Sequence, residues 1–143
     1  MSPSPKALAE SLREVVGDFV RLTRDQAGTP STARSETLGI LDRQGSMSIA
    51  SLAAHRNVRH QSMRLVVAQL ESESLVARMS DPADGRSQLI TLTHAGTEFV
   101  RLSRHARSLH IETAIAAELS EQERQDLAKG VSVLKRLLMY RRE

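Results

Sequence analysis

From Ser48 to Leu92 the chain carries two short stretches of helical spacing parted by a tight break, then two strand-like stretches parted by a turn. The first, Ser48 to Arg56, sets Ile49, Leu52 and Ala53 on one face; the second, Arg59 to Ser72, does the same with Met63, Val66, Val67 and Leu70. Apolar residues three, four and seven apart define one side of an α-helix. Neither helix is long enough to bury that side alone, so the two faces must cover each other. Leu75 to Met79 and Gln88 to Leu92 read as strands around a turn at Asp81-Pro82-Ala83-Asp84-Gly85. The order is helix, turn, helix, hairpin. What this packing leaves outward at the start of the second helix is Arg59, His60, Gln61, Ser62 and Arg64. A solvated helix face is the plainer account of such residues, but it usually mixes both signs of charge. Between Ser48 and Leu70 there are three arginines and no Asp or Glu, which favours a polyanionic partner.

Composition narrows the class of polyanion. The 143 residues suit one domain with a real core, and the formal net charge of +3 is moderately basic. Only Phe19, Phe99 and Tyr140 are aromatic, which argues against a protein that stacks unpaired bases on rings and leaves duplex DNA as the better partner. There are no cysteines, so disulfides, thiol redox sensing and cysteine-ligated zinc are excluded. No apolar signal core opens the chain and no eighteen apolar residues run together, so a cytoplasmic protein without a membrane partner is expected.

The flanks are helical as well. Ser4 and Pro5 suit a helix start, and Leu8, Leu12, Val15, Val16, Phe19 and Leu22 fall on one stripe before Ala27-Gly28-Thr29-Pro30 ends it. A second helix is expected from about Thr32 to Gln44, burying Leu38 and Leu41 and closing on a left-handed Gly45. Ser48 is an N-cap whose helix start also suits a phosphate; plain capping is the equal alternative. After the hairpin, Thr93 caps a helix from His94 to about Glu118 with Phe99, Leu102, Ala106, Leu109 and Ala117 along one side. Ser120 and Glu123 form a capping box, opening a last helix to about Arg141 with Leu127, Val131, Leu134 and Leu138 in a stripe. Three long amphipathic helices present more apolar face than so small a lobe can cover. A second copy of the chain is the economical cover, since a two-fold dimer also sets two reading helices one DNA turn, about 34–36 Å, apart.

Particular residues make the pattern specific. Leu52-Ala53, Val58, Met63, Val66-Val67, Leu70-Glu71 and Leu75-Val76-Ala77-Arg78 are followed by Asp81-Pro82-Ala83-Asp84-Gly85-Arg86-Ser87 and by Leu92-Thr93-His94-Ala95-Gly96. The whole run resembles the winged helix-turn-helix of the MarR family of bacterial transcription regulators. The most telling part is the tract Asp-Pro-x-Asp-x-Arg, a strand, and Leu-Thr-x-x-Gly. The resemblance spans about Leu38 to Gly96 by motif, and the flanking helices by length and order. It implies a mainly α fold with a small β-hairpin wing, one domain over 1–143 in which 31–92 form the DNA-binding lobe and 5–27 and 94–141 the dimerisation helices. It also implies a homodimer on a pseudo-palindromic operator, and a small-molecule effector in a cleft between lobe and dimer helices.

Under that reading Arg59, His60, Gln61, Ser62 and Arg64 form the reading head, with Arg suited to guanine and Gln to adenine. Asp84 and Arg86 form a second contact: Asp84 is placed to orient the Arg86 guanidinium, and a narrow minor groove attracts an inserted arginine. A surface ion pair on a turn is the alternative for those two. Ser87 beside them and Arg78 before the wing complete the expected DNA contacts. Two positions depart from the family's habit. Leu65 stands where a polar or basic residue is common, and Gly85 where a further arginine often appears.

No nucleophile elbow, HExxH, phosphate-binding glycine loop or carboxylate dyad is present, so no catalysis and no cofactor are expected. His105 and His110 are five apart and off a shared helix face, and no carboxylate or cysteine completes a ligand set with them or with His55 and His60, so no metal is expected either. The expectation is a sequence-specific duplex-DNA regulator, a repressor relieved by a small molecule. The competing class is a winged-helix interaction or architectural module that does not read sequence.

Overall fold

The structure is a computed structural model that describes residues 1–142. Six helices and one hairpin follow in the order α1 (Pro5–Gln26), α2 (Ala33–Gln44), α3 (Ile49–Arg56), α4 (His60–Ser72), β1 (Val76–Ser80), β2 (Gln88–Leu92), α5 (His94–Glu118) and α6 (Glu121–Leu138). The chain groups into two compact units, residues 1–107 and the segment from Ser108 onward.

Local chemistry sets each boundary in the first unit. Ser4 accepts from the Ala7 N–H and Pro5 takes the first helical position, so α1 begins where its missing donor costs nothing. Thr32 and Ser35 cap α2 reciprocally, each side chain bound to the other's backbone N–H. Gly45 ends α2 with φ 85° and ψ −176°, a positive-φ extended conformation rather than the left-handed helical one expected, and equally one that favours glycine. The break after α3 is Asn57, in the left-handed region at φ 51°. Its short amide side chain makes that conformation cheaper than for most residues.

The core lies in this unit. Leu38, Leu52, Met63, Val67, Leu70 and Ile90 are sealed from solvent, joined by Ile40, Leu41, Ala53, Leu75, Val76 and Val100. Every expected core face of α2, α3 and α4 thus turns inward; Ile49 and Val66 are half-buried at its margin. The hairpin pairs antiparallel from Val76 opposite Leu92 to Ser80 opposite Gln88, one residue later on its first strand than expected. Met47 adds a bridge to Ile90 through two backbone hydrogen bonds, 3.2 and 2.8 Å. The linker before α3 therefore covers part of the outer edge of β2, limiting stray pairing there.

Gly96 fixes how α5 leaves the hairpin. A Cβ at this position would lie 2.0 Å from the Leu75 carbonyl oxygen, so the helix approaches the backbone just before β1 more closely than any side chain permits. Thr93 holds the same corner, its hydroxyl donating to the Ser74 carbonyl at 2.6 Å and accepting from the Gly96 N–H at 3.1 Å.

In the second unit Ser120 and Glu123 make the expected capping box. The preference of Glu123 for its charged form follows, its pKa lowered by those Ser120 hydrogen bonds. α6 stops at Leu138, three residues short of the expected Arg141. Met139 and Tyr140 turn back their N–H groups onto Arg136 and Leu137, and the Arg141 guanidinium donates to the Leu138 carbonyl at 2.8 Å. A basic side chain thus satisfies a carbonyl left free at the helix end instead of extending the helix.

Candidate nucleic-acid interface

The reading head begins with an uncapped helix. Arg59, expected as the first residue of α4, is its N-cap, in extended backbone and with no side-chain hydrogen bond to the first turn. An arginine has no acceptor to offer those N–H groups, so they stay open to a ligand. The opposite holds one helix earlier. The Ser48 hydroxyl accepts from the Ser51 N–H at 3.1 Å and donates to the Ser51 hydroxyl, so it caps α3.

Because Met63, Val67 and Leu70 are drawn into the core, rotation by about 100° per residue sends Gln61, Arg64 and Leu65 outward. Arg59, His60, Gln61, Ser62 and Arg64 are all exposed. The outward face at the start of α4 is therefore basic and rich in donors.

The wing turn is built by two aspartates. Asp81 accepts from the Ala83 N–H at 2.9 Å through its carboxylate, and its N–H donates to the Ser87 carbonyl. Asp84 accepts from the Arg86 N–H at 3.1 Å and from the Ser87 hydroxyl at 3.2 Å. This corrects the expected role of Asp84. Its carboxylate is spent on the backbone and hydroxyl beyond it, and it forms no ion pair with the Arg86 guanidinium. The aspartate shapes the turn; the arginine at its tip is exposed and free. Arg78 is different again. Its guanidinium is 2.9 Å from Glu71 and 3.4 Å from the Gln88 amide oxygen, which ties the hairpin to α4.

Charge pairing sorts the arginines of the first unit. Arg34 pairs with Glu73, Arg56 with Glu36, Arg78 with Glu71, Arg101 with Glu98 and Arg104 with Asp42. Among the described residues Arg59 at the N-cap of α4, Arg64 on α4 and Arg86 on the wing have no carboxylate partner, and neither do Arg24, Arg43 and Arg107.

A second basic site went unseen in the sequence. A cavity of about 420 Å³ is lined by Arg24, Arg43, Arg56, Arg104 and Arg107, with one carboxylate, Glu36, and an apolar wall from Ile40, Phe99 and Val100. Glu36 is kept charged below its ordinary pKa, first by the Ser31 hydroxyl donating at 2.6 Å and then by Arg56. Arg107 is shifted the other way, its pKa lowered by burial and by the nearby charges of Arg24 and Arg104. The five arginines come from the end of α1, from α2 and α3, and from α5, so no local run of the sequence marks the site. Spacing within one helix gives no sign of a cluster gathered from four.

Comparison with known proteins places this architecture. The family model described as the MarR family matches residues 32–88, the span from the α2 cap to the start of β2. An HTH-type transcriptional regulator of Mycobacterium tuberculosis is 30% identical over 111 residues, 78% of this chain and 77% of that protein. An uncharacterised HTH-type transcriptional regulator of Mycobacterium leprae is 33% identical over 109 residues, 75% of this chain and 76% of its own length. Among solved structures, a transcriptional regulator of Pseudomonas aeruginosa superimposes with a TM-score of 0.79 at 27% identity, covering 97% of this chain and all of that one. A Staphylococcus aureus MepR mutant bound to an oligodeoxyribonucleotide shares the fold, with a TM-score of 0.62 at 18% identity over 96% of this chain and all of its own. A helix-turn-helix with an uncapped basic second helix, an arginine-tipped hairpin and relatives of this kind make one identification: the chain belongs to the MarR family and is a DNA-binding transcription regulator.

Proposed function

We propose that the protein is a homodimeric repressor that reads a pseudo-palindromic operator in the cytoplasm, with α4 in the major groove and the wing in the minor groove, and performs no catalysis. The observation that carries this is the sorting of arginines. Arg34, Arg56, Arg78 and Arg104 around the lobe are paired with carboxylates, whereas Arg59, Arg64 and Arg86, outside the arginine cavity, have none and stand exposed on the two elements expected to meet DNA. Unpaired surface cations gain most from phosphate, because they displace condensed counterions without first breaking an ion pair. Gln61, Ser62 and His60 stand beside them as base or backbone contacts, and Ser87 supports the wing turn. The test is binding to an operator and to a scrambled duplex across a salt series. A regulator that reads sequence prefers its site by at least about 10³, with a steep salt slope; equal affinity for both duplexes would make the protein an architectural or interaction module.

The arginine cavity supports a small organic anion as effector. Arg107 is desolvated beside the charges of Arg24 and Arg104, and a carboxylate or phosphate ester entering beside Phe99 relieves that repulsion. Release of operator follows if the anion binds better to a form of the dimer that fits DNA poorly. Arg107→Ala is expected to leave operator affinity unchanged while abolishing release by benzoate, the simplest probe of this chemistry, in a fluorescence anisotropy titration. If wild-type complex is indifferent to benzoate and to other small organic anions alike, the cavity is no effector site.

A further inference from the structure

The expected polar residue is missing at one outward position of α4, and what replaces it has a physical use. Leu65 is 64% exposed, and it is the one large hydrophobic side chain left exposed between Thr23 and Arg78 among the described residues. The other exposed apolar side chains belong to the stripes of α1, α5 and α6, to the wing, or to the chain ends. On α4 the buried residues Met63, Val67 and Leu70 define the inward direction; Leu65 lies nearly opposite it, one turn after Gln61 and on the same line. An exposed leucine on an ordinary surface needs no explanation. Here its neighbours are Gln61 and Arg64, side chains suited to base edges, and the helix that bears all three is the one placed to enter a major groove.

Only one group on the floor of that groove is apolar: the C5-methyl of thymine. We infer that Leu65 is a specificity residue that selects thymine by covering this methyl, next to the base contacted by Gln61 or Arg64. A guanidinium or amide at the same position would reach a phosphate or a polar base edge and would gain nothing from the methyl. The substitution thus exchanges a contact blind to sequence for one that reads it.

The inference rests on the reading of α4 as the groove-reading helix, and deoxyuridine separates the two. It differs from deoxythymidine by the methyl alone. Purified dimer would first select its preferred duplex from a randomised pool, and each thymine in that duplex would then be replaced singly by deoxyuridine. The expected result for the natural chain is about fourfold weaker binding at one thymine in each half-site, the loss of one buried methyl-sized group. Leu65→Ala, a surface change that preserves the helix, is expected to bind thymine and deoxyuridine duplexes equally. Discrimination that survives in Leu65→Ala would overturn the inference, as would a natural chain insensitive to deoxyuridine at every position of its selected site. A pool that yields no enriched sequence would defeat the groove-reading role itself, and the inference with it.

Discussion

Arg86 illustrates how neighbouring side chains can shape the turn that presents one arginine. Asp84 accepts from its backbone N–H and from the Ser87 hydroxyl, and Asp81 closes the turn from the other side, so the turn is hydrogen-bonded throughout while the guanidinium is unpaired. Replacing Arg86 by Ala is expected to weaken operator binding about 10- to 100-fold and to leave the thermal unfolding midpoint unchanged, since its side chain supports nothing in the lobe. Asp84→Ala acts indirectly. It frees the Arg86 N–H and the Ser87 hydroxyl to solvent, and a loss of about three- to tenfold in affinity is expected from the looser turn. Equal affinities of natural and Arg86→Ala protein in gel-shift titrations would remove the wing from DNA recognition. Asp84 was legible in the sequence as a wing residue but not in its role, because i to i+2 spacing on a turn suits a backbone acceptor as well as an ion pair, and the backbone N–H is the nearer donor.

At the scale of elements, the corner between α4, the hairpin and α5 concentrates the constraints. Ser74 is held at φ 60° so that the chain can reverse after α4, Thr93 binds its carbonyl, and Gly96 lets α5 pass within contact of the Leu75 backbone. Gly96→Ala forces a Cβ into that carbonyl and beside the Leu92 side chain, and neither backbone nor packed leucine yields cheaply. A destabilisation of about 1–3 kcal/mol is expected, measured by chemical denaturation, with operator affinity falling because the wing hangs from this corner. An unchanged midpoint would mean that the corner opens freely. The glycine of the Leu-Thr-x-x-Gly tract was legible as a motif; its reason, a close approach between segments twenty residues apart, was not. The same division holds elsewhere. Periodicity located α1 to α5 and both strands within a residue or so, because burial of Leu38, Leu52, Met63 and Leu70 follows directly from spacing. The Met47 bridge and the arginine cavity depend on contacts between distant segments, which spacing does not carry.

For the molecule as a whole, the stripes on the terminal helices decide whether it works singly or in pairs. α1 exposes Leu8, Val15, Val16 and Phe19, and α6 exposes Leu127, Val131, Leu134 and Leu138, the last to 76%. Such spacing, three and four residues apart over several turns, buries well only against another apolar helix face, and water is a poor partner for it. An apolar stripe running along a helix in this way is what an interface leaves exposed in a single copy. In the proposed homodimer a second copy covers these stripes and converts two modest DNA contacts into one bivalent one. Leu134→Glu places a charge in the middle of the α6 stripe, where burial would strip it of water without a partner. Sedimentation of the variant is expected to give a monomer, and its affinity for a two-half-site operator to fall by about 10²- to 10⁴-fold, while affinity for a single half-site stays as it was. The half-site control matters, since a variant that merely misfolds loses both. If the natural chain sediments as a monomer and still binds the full operator tightly, the α6 stripe covers something else, and the spacing of paired reading helices plays no part in recognition.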